Sequence, residues 1–170
     1  AYNREPFSKT EVAKLWDVKD SNIYYTVILM LIYTGCRIGE LLDLKKENVN
    51  LEERYFKIVA SKTAAGIRTA PISEKVYPFF EYWYNLNDCE YLLSTPEGEH
   101  FKYRNYYDSY WSPLIETLGM KHRPHDTRHT CISMLTVAGV SDKVIKKIVG
   151  HKGQGVTEVV YTHFEIEELI

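Results

Sequence analysis

The stretch from Ile23 to Tyr33, IYYTVILMLIY, is apolar at every position except Thr26. A helix with no polar face has to be surrounded, so this segment predicts a central helix buried on most sides. It falls far short of the roughly 20 apolar residues that cross a bilayer, and nothing at the N-terminus resembles a signal peptide. The rest of the chain must therefore wrap it. With 170 residues, 45% of them hydrophobic, there is enough material for one domain with a real core and too little for two large ones. Cys36, Cys89 and Cys131 are odd in number and far apart, which fits reduced thiols rather than a disulfide framework.

Around the central helix the punctuation is mostly helical. Ser8-Lys9-Thr10-Glu11 reads as a capping box opening a helix to about Val18. The central helix is expected to begin near Ser21 and end before Thr34-Gly35, with a short helix over Arg37 to Leu42 that turns Leu41, Leu42 and Leu44 inward. Short β-type runs at 49–51, 55–59 and 67–72, separated by polar turns, predict a small three-stranded antiparallel sheet. The turn between the last two runs carries Lys62. Helices follow over about 73–85 and 103–118. Asp126 is expected to cap a helix to Ala138 that Gly139 ends, and Ser141 to cap one through Val149 that Gly150 stops. The fold class is mainly α with a small three-stranded antiparallel β-sheet, in a single domain over 1–170. Trp83 and Trp111 are expected to fill the core or to cover it.

A formal net charge of −2 argues at first against a nucleic-acid partner. The charge is nevertheless segregated. Residues 120–155 hold seven Lys or Arg against two acids, 81–100 hold five acids and no base, and the last fifteen residues hold four acids and no base. That pattern allows one basic face with acidic flanks.

The densest chemistry lies in His125-Asp126-Thr127-Arg128-His129-Thr130. Taken alone it suits a metal site, a phosphate site or a plain capped helix. Arg37 after a glycine break, Lys62 at a turn, His125 and Arg128 at a helix start and His151 after a helix stop all sit at element ends. Gathered together they would make a pocket for an oxyanion, since arginines clamp phosphate oxygens with paired hydrogen bonds. Tyr161, in Val159-Val160-Tyr161-Thr162-His163-Phe164, is a candidate nucleophile among fourteen tyrosines.

In this order the segments resemble the signature of the tyrosine recombinases, or phage integrases: Thr34-Gly35-Cys36-Arg37-Ile38-Gly39-Glu40-Leu41, Ser61-Lys62-Thr63, His125 to Thr130, Gly150-His151 and Tyr161-Thr162-His163. The resemblance covers residues 34–163. It implies the tyrosine recombinase catalytic-domain architecture and a site-specific enzyme that cuts and rejoins double-stranded DNA through a 3′-phosphotyrosyl bond on Tyr161, with no metal, ATP or other cofactor. It implies that Arg37 and Arg128 clamp the phosphate with His151 as a third donor, that His125 accepts the tyrosine proton, and that Lys62 is the acid toward the leaving 5′-oxygen, with Lys57 or Arg68 as competitors for that role. Glu40 would orient Arg37, and His129 would be supporting. A phosphate-backbone contact from Tyr103, Arg104 or Tyr107 is a further reading.

The resemblance also implies four protomers around two duplexes for strand exchange, leaves a monomer open for the isolated domain, and places the protein in the cytoplasm of a bacterial host, encoded by the host, a phage or another mobile element. Relatives carry an N-terminal DNA-clamping domain, so the chain is expected to be a fragment. Thr127 stands where the family usually has leucine, a change expected to alter packing rather than catalysis. Two rival functions remain open from the residues: a metal-dependent His-Asp phosphohydrolase using His125, Asp126 and neighbouring histidines, and a DNA-binding module that never cuts.

Overall fold

The computed structural model describes residues 5–61 and 63–151; Lys62, Tyr161 and His163 lie outside them. Helix α1 (Lys9–Val18) opens on the expected capping box, the Ser8 amide donating to Glu11 Oε1 at 2.8 Å and the Glu11 amide to Ser8 Oγ at 3.1 Å. Helix α2 (Tyr24–Thr34) is buried along its whole length. Its polar atoms are satisfied internally: Thr26 Oγ1 accepts from Trp83 Nε1 at 3.0 Å, and Tyr33 OH from Trp16 Nε1 at 3.1 Å. No helix among the described residues is long and apolar enough to cross a membrane.

Helix α2 starts three residues later than the sequence suggests. Ser21 turns back instead, its hydroxyl donating to the Val18 carbonyl at 2.6 Å, and Asn22 Oδ1 caps the Tyr24 amide at 2.9 Å. At the other end Gly35 adopts φ 71° and donates to the Leu31 carbonyl. A Cβ there would stand 2.6 Å from Val149 and 3.1 Å from the Cys131 sulfur. Glycine therefore serves both the left-handed cap and a close approach of three helices.

Helix α3 (Ile38–Leu42) follows, with Leu41, Leu42 and Leu44 buried. Strands β1 (Val49–Asn50), β2 (Tyr55–Ile58) and β3 (Arg68–Pro71) form an antiparallel sheet in the order β1-β2-β3, as expected. Phe56 and Ile58 face the core while Lys57 between them is exposed, and across the ladder Ile58 pairs with Arg68 and Phe56 with Ala70. Helix α4 (Tyr77–Asn85) begins four residues after the expected Ser73. Ser73 instead forms a tight turn, its carbonyl accepting from Val76 and Tyr77.

The helix expected over 103–118 is interrupted. It runs as α5 (Tyr103–Tyr106), a π-helical turn over Tyr107–Trp111, and α6 (Ser112–Thr117). Pro113 lacks the amide that would bond back to Ser109, which favours a wider turn here.

Helix α7 (His125–Val137) crosses α2, and α8 (Asp142–Val149), capped by Ser141, packs on α7 and β3. Asp126 is not the cap residue of α7. It lies inside the first turn, fully buried, and Oδ2 reaches back to the Arg123 amide at 3.1 Å and the His122 ring at 2.9 Å. Thr127 is buried too, with its hydroxyl donating to the Pro124 carbonyl at 2.6 Å. That bond explains how a polar residue fits a packed position. Trp83 and Trp111 are both in the core, and the three cysteines are free thiols.

Candidate active site

The site is built where α3, the start of α7 and the end of α8 converge. Arg37 precedes the first turn of α3 in extended backbone, and its amide donates to Glu40 Oε1 at 2.9 Å. Its Nη1 is 3.5 Å from Glu40 Oε2. The same nitrogen is buried without a hydrogen-bond acceptor among the described residues. Arg128, one turn into α7, is 1% exposed. Its Nη1 donates to the Gly35 carbonyl at 3.1 Å and also to the Val149 carbonyl. Its Nη2 has no acceptor among the described residues. Burial, with the positive charges of Arg37 and Arg68 nearby, brings the Arg128 guanidinium down to about 10. It stays charged at neutral pH.

His151 is placed by the α8 stop signal. Gly150 takes φ 72°, and the His151 amide turns back to the Lys146 carbonyl at 2.8 Å. Partial desolvation, then the charges of Arg128 and Arg37, hold its imidazole below the ordinary value of 6.5. By NMR its titration midpoint is expected below 6.5 and is expected to rise in an Arg37→Ala variant. A midpoint at or above the ordinary value would contradict this grouping of cations.

His125 is exposed at the start of α7, its ring edge-on to His129 with centroids 4.8 Å apart. His129 Nε2 is buried and lacks a hydrogen-bond partner among the described residues. Arg37 and His125 both line a groove of about 850 Å³, whose other cationic side chains are Lys45, Lys57, Arg104 and Arg123. Tyr103 and Tyr107 line it as well. The structure thus brings Arg37, Arg128 and His151 into one electrostatic cluster and sets His125 on the same groove. Lys62 and Tyr161 fall outside the described residues.

Glu40 does more than steer Arg37. Its carboxylate faces the Arg68 guanidinium in a fork, Nη1 to Oε2 and Nη2 to Oε1 both at 3.0 Å, and the three neighbouring donors hold its carboxyl below the usual range despite burial. Of the two competitors for the turn-lysine role, Arg68 is thereby bound and buried, while Lys57 is exposed on the groove. The Arg68 role went unread in the sequence. A signal was present: β3 alternates, and an arginine at the inward position opposite Ile58 requires a buried carboxylate. Glu40→Ala leaves that guanidinium buried without its anion, and is expected to cost about 3 kcal/mol as a shift in the urea midpoint. A change within about 0.5 kcal/mol, as for ordinary surface sites, would contradict the pairing.

Among the described residues no group of three or more His, Cys, Asp or Glu side chains is gathered to hold a metal. Asp126, the acid of the phosphohydrolase reading, is engaged with His122, whose other ring nitrogen lies 2.9 Å from Glu11 Oε1.

Known proteins agree with this architecture. The sequence pattern described as the phage integrase family matches residues 7–168. The XerC-like tyrosine recombinase of Caldanaerobacter subterraneus subsp. tengcongensis is 26% identical over 197 residues, covering 94% of this chain and 50% of that protein. The tyrosine recombinase XerA of Pyrococcus furiosus is 27% identical over 169 residues, covering 95% and 58%. The chain thus spans about half the length of these curated relatives. Among solved structures, the Tn1549 transposon integrase in complex with a circular intermediate DNA superposes with a TM-score of 0.78 at 20% identity, over 89% of this chain and 59% of that one. A lambda integrase tetramer bound to a Holliday junction gives 0.72 at 16%, over 93% and 51%.

Proposed function

The chain belongs to the phage integrase family, and we propose that it is the catalytic domain of a site-specific DNA recombinase that breaks and rejoins strands through Tyr161. The observation that carries the reading is the Arg128 guanidinium, held by two main-chain carbonyls behind Arg37 and His151 with Nη2 left without an acceptor among the described residues. A buried cation so fixed is preorganised for a dianionic transition state.

The Tyr161 oxygen attacks the scissile phosphorus, the bond to the 5′-oxygen breaks, and a 3′-phosphotyrosyl ester forms. The phenol proton passes to His125, and Lys62 gives a proton to the departing 5′-oxygen. Arg37 and Arg128 neutralise the non-bridging oxygens, and His151 donates a third hydrogen bond. A phenol of pKa about 10 needs that help at neutral pH. Because the ester conserves the bond energy, religation is attack by a 5′-hydroxyl and requires no ATP.

The groove lined by Arg37, Lys57, Arg104, Arg123 and His125 suits a phosphate backbone, and Tyr103, Arg104 and Tyr107 on its wall support the backbone-contact reading. Double-stranded DNA is the partner and strand exchange takes place in a tetramer, the assembly in which lambda integrase is found bound to a Holliday junction. We place its action in the cytoplasm, a reducing compartment in which its three free thiols persist.

Incubated in EDTA with a library of nicked duplexes of randomised core sequence, the protein is expected to become covalently joined to DNA as a slower-migrating, protease-sensitive species. Loss of attachment on chelation would overturn this reading in favour of a metal-dependent phosphohydrolase. Specific retention of duplex with no covalent species would leave a non-cleaving DNA-binding module.

A further inference from the structure

Beyond the residues that would touch DNA, one buried side chain joins the segments that carry them. Arg68 is almost wholly enclosed, and its guanidinium makes contacts to three separate elements. Nε donates to the Ile148 carbonyl at 2.8 Å, near the end of α8. Nη1 donates to the Gly66 carbonyl at 2.5 Å in the β2–β3 connection, and to Glu40 Oε2 at 3.0 Å. Nη2 donates to Glu40 Oε1 at 3.0 Å, on α3. The fit is close on every side. A Cβ on Gly150 would stand 2.5 Å from Arg68 Nη1 and 3.0 Å from Gly66 Cα. Gly150 therefore permits the left-handed α8 cap and also makes room for the guanidinium.

Each contact lies a few residues from a group assigned a catalytic role. Glu40 holds the Arg37 amide at 2.9 Å. Ile148 is followed by Val149, whose carbonyl receives Arg128, and then by Gly150 and His151. A planar fork with fixed donor directions can hold three carbonyl and carboxylate partners in one geometry, which a flexible ammonium cannot do.

We infer that Arg68 is a positioning residue: bound at once to Glu40, Gly66 and Ile148, it locks α3, the β2–β3 connection and the end of α8 in one register and so sets Arg37 and His151 against the same phosphate. The inference rests on the recombinase reading for its consequence, though the register itself does not. Glu40 then acts as the link between Arg68 and Arg37, and the pair forms the back wall of the clamp.

The test compares wild type with Arg68→Lys in single-turnover cleavage, in Kd for the same duplex and in the NMR titration of His151. Misplacement of a clamp by about an ångström lowers rate by about 100-fold, so Arg68→Lys is expected to lose that much in cleavage with Kd unchanged, and to move the His151 midpoint up toward its ordinary value as its surroundings open. A merely structural arginine would lower thermal stability alone. A folded Arg68→Lys protein that cleaves at the wild-type rate with an unmoved His151 midpoint overturns the inference. Should Arg68→Lys not fold, Glu40→Gln, which keeps the size and removes the charge, carries the same comparison with the same two outcomes. If wild type cleaves no DNA, the recombinase reading fails separately, and the His151 midpoint alone decides whether Arg68 sets the register.

Discussion

Arg128→Ala is expected to slow DNA cleavage by about 100- to 1,000-fold, with a much smaller loss of DNA affinity. The effect is concentrated in the chemical step because the Arg128 guanidinium is already held in place by the Gly35 and Val149 carbonyls before DNA arrives. It loses no freedom when the phosphate enters, and charge that develops on the non-bridging oxygens meets a fixed cation rather than reorganising water. On the recombinase reading, duplex affinity comes mostly from many phosphate contacts along the groove, so removing one buried donor is expected to leave most of it. Arg128→Lys retains the charge without the fork that spans two carbonyls and a phosphate, and is expected to remain strongly impaired. Single-turnover cleavage at saturating DNA checks both variants, and an alanine variant within about tenfold of wild type would show that the clamp lies elsewhere.

Much of the fold was legible because its signals are local. The Ser8 capping box, the Gly35 break, the Ser141 cap and the Gly150 stop each satisfy free helix-end groups with residues a few positions away, and all four are observed. The alternation of Phe56, Lys57 and Ile58 likewise placed β2 in the sheet. The departures come from bonding that a pattern of residue types does not display. Ser21 and Ser73 look like helix starts but spend their groups on turns, so α2 and α4 begin late. The π-helical turn over Tyr107–Trp111 interrupts a segment whose composition reads as an uninterrupted helix.

The candidate site shows the same division. Arg37 and His151 are aimed by glycine-marked helix ends, and those marks are readable; Arg128 meets them from the first turns of α7, held by the Gly35 and Val149 carbonyls. The Arg68–Glu40 pair spans 28 residues in sequence and depends on a strand face, a helix turn and the absent side chain of Gly150 together. Asp126 shows the limit of local reading in the other direction: an acid near a helix start suggested a cap, whereas burial and His122 give it a partner one turn back.

On the recombinase reading a phenol of this chain, that of Tyr161, becomes the covalent link to DNA. Tyr161→Phe removes one oxygen and leaves the clamp residues unchanged, so the most direct measurement is covalent trapping on a nicked suicide duplex by wild type and Tyr161→Phe side by side, with the linked peptide sequenced. Wild type is expected to yield a DNA 3′-phosphate esterified to Tyr161, and Tyr161→Phe to yield no covalent species while still retaining the duplex. Undiminished trapping by Tyr161→Phe, or a linked peptide centred on another residue, would contradict the account.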